Sequence, residues 1–412
     1  MKKRIMKSLA LVMTAGLLIT ACSSSGESGT AGSVASTSGD AASAGQESTG
    51  AASNSPYDQG DTIKFGIVAA KSGANAAAGN YMYESARLAV KHINEAGGIL
   101  GKQVELIEED EGETQQESVN AVLKLLSRGD ISAYYQGYIS TNVIAVSEID
   151  REYKIPHVTG GASMGVVEDN NPYQWHYRQT DDLSGPWYAS TLVEMFDIKN
   201  PCIVHKTDTY GQGLADSAVA AFKEMYDITI DDIFTFNIGE KQFTPIVTQI
   251  ANSGNDALMY FGDPNEAALL MSSVKSMGLD IFCIGSASVA MADTIAIAGD
   301  AAEGWYSCAD WTIDVDTPEA QKFREDYVAE YGHEPTIPGP YDGFRIVAEA
   351  IERAGSADPA AINEEMANTK DYPGVTSIMT PNEHHSMAVS RYLTQNTDGV
   401  AKIVETIDRP EQ

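Results

Sequence analysis

Beyond residue 60 the chain settles into a regular exchange of short apolar runs and longer amphipathic ones. Ile63 to Ala69, Val104 to Glu108, Ile131 to Gln136 and Ile155 to Thr159 have the length and apolar content of strands. Between them, Asn80 to Ala96 places Met82, Ala86, Ala89 and Ile93 on one helical face, and Ser118 to Ser127 and Asn142 to Tyr153 also read as helices. The rhythm then repeats. Strands are expected at Cys202 to His205, Ile233 to Phe236, Ala257 to Phe261 and Ile281 to Gly285, with helices near Leu214 to Met225, Thr244 to Ser253 and Glu266 to Met277. Strands alternating with helices of this length imply βαβ units, and hence an α/β protein with doubly wound parallel sheets, helices covering both faces. Asp61 to Gln412 is long enough for two such lobes.

The first sixty residues follow other patterns. Lys2, Lys3, Arg4 and Lys7 precede an apolar stretch from Leu9 to Ile19, the layout of an export signal. That stretch falls short of the roughly 20 apolar residues that span a bilayer. Ile19-Thr20-Ala21-Cys22 resembles the bacterial lipoprotein signal, in which the chain is cut before the cysteine and its thiol takes a lipid. The expectation is a signal peptide over 1–21 and a protein held extracytoplasmically, lipid-anchored to the membrane through Cys22. Residues 22–60 are mostly Ser, Gly, Ala and Thr, too poor in apolar surface to order themselves. They read as a disordered tether with a reach on the order of 35 Å.

Charge and cysteine content narrow the partners. A net charge of −31 repels a phosphate backbone, which argues against nucleic acid. With Cys22 assigned to lipid, Cys202, Cys283 and Cys308 remain, an odd number that permits at most one bridge. Cys202 and Cys283 sit in strand-like runs, where a buried free thiol is the default.

Open parallel sheets bind ligands beyond the carboxyl ends of their strands. Four loops qualify: "AAKSGANAAAG", "GYIST", "TDTYGQG" and "NIGEKQF". Ser140 or Thr141 stands just before an apolar-periodic helix, where a hydroxyl caps the helix and the free N–H groups suit a carboxylate. In the nearby "TGGASMG", Gly160 and Gly161 allow close backbone approach, and Ala162 and Ser163 can add polar groups at the same spot. Tyr210 and Glu240 complete the set. Hydroxyl and N–H donors for a carboxylate, with one anionic acceptor for an ammonium, are what a small zwitterion requires.

Catalytic and cofactor motifs are weak or missing. "GASMG" fits G-x-S-x-G, but that motif needs a strand-to-helix elbow, and the run that follows contains Asn170, Asn171 and Pro172, which end a helix. No P-loop, H-E-x-x-H or dinucleotide fingerprint occurs. Glu383-His384-His385 reads as a solvated loop rather than a metal site. No nucleophile, base and orienting group can be assembled, so neither an enzyme nor a cofactor is expected.

Taken in order, "ESARLAVKHINEAGGILGKQVELIEED", "IPHVTGGAS", "YRQTDD", "DTYGQGLA", "GEKQFTPIVTQI" and "PYDGFRIVAEAIERAG" resemble the leucine/isoleucine/valine-type solute-binding proteins of ABC transporters, of the type I periplasmic-binding fold. The resemblance implies two lobes joined by three hinge crossings, near Arg178 to Asp181, Gly285 to Ser288 and Val389 to Tyr392. That places 61–179 and 287–388 in lobe 1, and 180–286 and 389–412 in lobe 2. It further implies that Ser140, Ser163 and main-chain groups near Gly161 and Ala162 hold a ligand carboxylate, that Tyr210 lines the far lobe and that Glu240 receives an α-ammonium. One departure stands out. Lys71 to Gly79 is rich in alanine where branched-chain binders carry a bulky aromatic, leaving Tyr138 and Tyr81 to supply aromatics and room for a larger side chain. The implied function is delivery of an amino acid or similar small solute to ABC permease subunits, by a monomer. The rival is a sensory module of the same fold, which a transmembrane or signalling segment after the domain would favour.

Overall fold

The computed structural model describes residues 55–73 and 75–407. Cys22, the predicted signal peptide and most of the predicted tether lie outside the described residues.

The first sheet is built from β1 (Thr62–Ala69), β2 (Gln103–Asp110), β3 (Ala133–Gln136), β4 (His157–Thr159) and β5 (Gln174–His176) in the order β2-β1-β3-β4-β5, all parallel. The second takes β6 (Pro201–Lys206), β7 (Ile233–Phe236), β8 (Ala257–Phe261), β9 (Phe282–Gly285) and β10 (Tyr306–Ala309) in the equivalent order, β7-β6-β8-β9-β10. A short antiparallel sheet, β11 (Tyr372–Pro373), β12 (Ile378–Pro381) and β13 (Met387–Ala388), precedes β14 (Arg391–Thr397) and β15 (Val400–Ile407). These last two extend the second sheet antiparallel from β10.

Side-chain alternation sorts each strand between two cores. Ile63, Phe65 and Ile67 face one core with α1 (Ala76–Glu95), while Val68 faces the other with α2 (Gln115–Leu126). The first sheet's loops also carry α3 (Ser140–Ala145), α4 (Ser147–Tyr153) and α5 (Met164–Asp169). On the second sheet, Met259 and Phe261 pack with α6 (Asp181–Ser190) and α7 (Thr209–Tyr226). Leu258 and Tyr260 pack with α8 (Thr244–Ser253), α9 (Pro264–Ser276) and α10 (Ala292–Ala298). Then α11 (Pro318–Tyr331), α12 (Gly339–Ala354) and α13 (Pro359–Ala367) return to the first sheet, where the Phe344 ring stacks on Phe65 at 5.2 Å. Apolar side chains on both faces of parallel strands need helices on both sides, which this arrangement supplies.

The contact of α6 with α7 sets a testable constraint. A Cβ at Gly185 of α6 would lie 2.2 Å from Ser217 Oγ and 2.4 Å from the Ser217 carbonyl carbon of α7. Gly185→Ala should therefore force the helices apart and cost roughly 1–3 kcal/mol, read as a fall in the urea midpoint. An unchanged midpoint would mean that α7 yields freely.

Three expectations are corrected. The second crossing is not at Gly285 to Ser288. Tyr306 pairs with Ile284, and Tyr306 to Ala309 pair with β14, so the chain stays with the second sheet until β10 and leaves it through Asp310 to Thr312. Residues 287–309 thus belong with lobe 2. The helix expected over Asn142 to Tyr153 is two, because Val146, at φ −95° and ψ −2°, ends α3 and begins α4. Finally, the tether's last residues are ordered. Pro56–Asp58 form a 3-10 turn, Tyr57 packs on the core, and Asp58 accepts from Ser356 Oγ (2.6 Å) and Ala357 N (2.7 Å).

Cys202, Cys283 and Cys308 are all buried and free. His385 stacks on Trp175 with ring centres 3.9 Å apart, and the described residues include no group of three or more His, Cys, Asp or Glu that could hold a metal. No described helix is long and apolar enough to cross a membrane.

Candidate ligand-binding site

Both sheets reverse strand order at their first strand, so each has its switch point at a fixed place: between β1 and β3, and between β6 and β8. Loops leaving the carboxyl ends there make the natural binding crevice. They enclose a cavity of about 140 Å³ whose walls come from both lobes. Tyr138, Ser140, Tyr177 and Arg178 stand on the first side, and Lys206, Asp208, Tyr210 and Asp263 on the second. Ser286, Ser288, Asp310 and Trp311 close the rest.

The first-side wall is held rigidly from behind. Ser140 opens α3 but caps nothing; its hydroxyl accepts from the backbone N–H of Ala162 and of Ser163, each at 3.3 Å. The α3 segment is anchored by Asn142 Nδ2, which donates to buried Glu111 Oε1 at 2.9 Å. The glycine-rich loop is fixed by His176, whose Nδ1 bonds the Gly161 carbonyl at 2.9 Å. Burial pulls the His176 pKa down to about 4, so the ring is neutral and its Nδ1 donates. The hydroxyls of Ser163 and Tyr138 are buried without partners. Such groups are costly unless something satisfies them.

Charge supplies the opposite wall and the hinge. Lys206 Nζ lies 2.8 Å from Asp208 Oδ2 and 2.6 Å from Asp263 Oδ2. Burial alone would lower the Lys206 pKa, yet Asp263 and Asp208 hold it above its ordinary value. At the hinge each crossing contributes one charge: Arg178 Nη2 lies 2.8 Å from Asp310 Oδ2, and Arg391 Nη2 lies 3.3 Å from Asp310 Oδ1. The lining thus carries two cations, Arg178 and Lys206, and three carboxylates, Asp208, Asp263 and Asp310, with Arg391 pairing Asp310 from outside the lining, an arrangement with room for a guest's ammonium.

Of the residues singled out from sequence, Tyr138, Ser140 and Tyr210 line this cavity. Gly161, Ala162 and Ser163 form the loop behind Ser140. Thr141 instead bridges the lobes, its Oγ1 donating to Thr209 Oγ1 at 3.1 Å. Glu240 is not among the residues of this cavity. It lines a second, outer cavity, and its Oε1 accepts from the N–H groups of its own loop at Lys241 and Gln242, both at 2.8 Å. The charged set of Arg178, Lys206, Asp208, Asp263 and Asp310 was missed. Its signal was available, since Asp208 and Asp263 follow the two strands that flank the second switch point.

The lobes also meet at the mouth of the cleft, where Tyr81 Oη donates to Asp293 at 3.1 Å.

Comparison with known proteins places this geometry. A family model described as "Periplasmic binding protein" matches residues 62–399. The leucine-, isoleucine-, valine-, threonine- and alanine-binding protein of Pseudomonas aeruginosa is 26% identical over 321 residues, which is 76% of this chain and 84% of that protein. Among solved structures, the branched-chain amino acid transporter substrate-binding protein of Streptococcus pneumoniae, in complex with isoleucine, superposes with a TM-score of 0.76 at 25% identity, covering 85% of this chain and 100% of the other. A leucine-binding protein from Thermotoga maritima superposes with a TM-score of 0.78 at 23% identity, covering 84% of this chain and 99% of the other.

Proposed function

This chain belongs to the periplasmic binding protein family, and on that premise we propose that it captures an amino acid or similar small dipolar solute outside the cytoplasm for an ABC importer. The relatives named above bind amino acids, and transport proteins among them favour delivery to permease subunits over the sensory reading. The observation that carries the proposal is the interlobe cavity, with hydroxyl donors on one wall and two carboxylates sharing a single lysine on the other. The Ser140 neighbourhood receives the carboxylate. Partnerless Ser163 and Tyr138 hydroxyls and the N–H groups now on Ser140 become its donors. The ammonium goes to the Asp208 and Asp263 side rather than to Glu240. Closure around the guest is the signal that the permease reads. Lipid attachment at Cys22 would hold the protein near that permease, and a monomer suffices for the cycle.

Thermal melting against the standard amino acids tests this. A true ligand at one hundred times its Kd should add about 2.7 kcal/mol of stability. Asp263→Asn should abolish the shift and Glu240→Gln should retain it. The reverse pattern would return the ammonium to Glu240, and no shift with any amino acid would remove the amino-acid reading.

A further inference from the structure

The inner cavity does not end at its own walls. Tyr138, Asp263, Pro264, Met291, Thr336 and Ile337 line it and also line an outer cavity of about 630 Å³, so the two adjoin along a shared boundary. The outer cavity takes Ala77, Ala78 and Tyr81 from the first lobe and Ile238, Leu269 and Ile297 from the second. It is a chamber only while the lobes are together, with the Tyr81 to Asp293 hydrogen bond strung across it.

Glu240, Lys241, Glu266 and Asp293 also line the outer cavity, yet exposed apolar side chains gather there. Ile238 and Ile297 are 66% and 59% exposed, the two most exposed large apolar side chains among the described residues, and both face this one cavity. Scattered exposed apolar residues need no explanation, but a gathered set marks a surface that something apolar covers. Small residues opposite them, Ala77 and Ala78, leave the space open rather than filling it. We propose that this chamber receives the apolar tail of the same solute whose charged head sits inside, so that the preferred ligand is elongated rather than a compact branched-chain amino acid. The inference rests on the reading of the inner cavity as the seat of a charged head group.

Each methylene moved from water into such a chamber should tighten binding about three- to fourfold. The test is calorimetric titration of the full chain with unbranched 2-amino acids, from 2-aminobutanoate through 2-aminohexanoate to 2-aminodecanoate. Unbranched carboxylates and primary amines of the same lengths run in parallel. Affinity is expected to keep rising beyond six carbons. Ala77→Trp, a change at an exposed helical position, should flatten the series, read as the ratio of long-chain to short-chain Kd. Affinity that peaks at 2-aminohexanoate, or a ratio that Ala77→Trp leaves unaltered, overturns the chamber and reassigns the two isoleucines to a protein partner. A length dependence seen only with the carboxylates or only with the amines upholds the chamber while overturning the amino-acid head. No binding in any of the three series overturns the chamber.

Discussion

Replacing Asp310 by alanine should destabilise the protein by roughly 3–5 kcal/mol, the cost of leaving buried charge unpaired. The Arg178, Asp310 and Arg391 side chains are 14%, 15% and 4% exposed, so water screens them little. Asp310 is the shared counter-charge. Its loss leaves two guanidinium groups facing each other across the crossings, and the Nε–H groups of both arginines are already buried without an acceptor. Arg391 Nη1 retains only Ser184 Oγ at 2.9 Å and the Cys308 sulfur at 3.3 Å. Urea denaturation reads the loss directly. Pairing Asp310→Ala with Arg391→Met should recover a large part of it, because removing a second charge relieves the first. A single variant costing less than about 1 kcal/mol would show that the hinge charges are solvated in solution.

The second large effect is a pH dependence centred on Asp181, which opens α6 at the first crossing and is 1% exposed. Burial pushes its carboxyl up to about 7, against the pull of Arg178 and Arg391 and a hydrogen bond from Ser184, with Asp182 adding to the rise. The folded state therefore keeps a proton that the unfolded chain releases near 3.8. Stability from this group is full below that value and is lost as pH climbs to about 7, by at most about 4 kcal/mol. His176 works the other way: its pKa, pulled down to about 4 by burial, makes stability fall as pH drops below 6.5. Asp181→Asn removes the first effect and leaves the second. Its stability relative to the wild type should rise steadily from pH 4 to pH 7, measured by urea melts at matched ionic strength. Parallel pH profiles for the two proteins would mean that Asp181 is ionised throughout.

Much of this molecule could be read before folding it. Ile63 to Ala69 and Ala257 to Phe261 announce themselves because buried parallel strands are continuous apolar runs between clear helices. Gln174–His176 and Tyr306–Ala309 do not, being too short and too polar for any periodicity to register. Missing the second of these misplaced a hinge crossing by more than twenty residues. In the site, hydroxyls and glycines were visible because they sit in loops with recognisable turn and cap chemistry. Arg178, Lys206 and Asp310 were not, since a charged residue at a strand end looks like any solvated one until its partner from a distant segment is known. Glu240 shows the opposite limit: local sequence offered it as a free acceptor, but it could not show that one of its oxygens accepts two N–H groups of its own loop.

The three-way ion knot also constrains how the halves of such a protein can be exchanged. A chimera that borrowed one half from a relative would inherit an arginine or an aspartate without its mate, since every strand of connecting chain brings one member. Successful grafts must carry all three positions together, which makes this junction, rather than the binding loops, the place where recombination between relatives is most tightly policed.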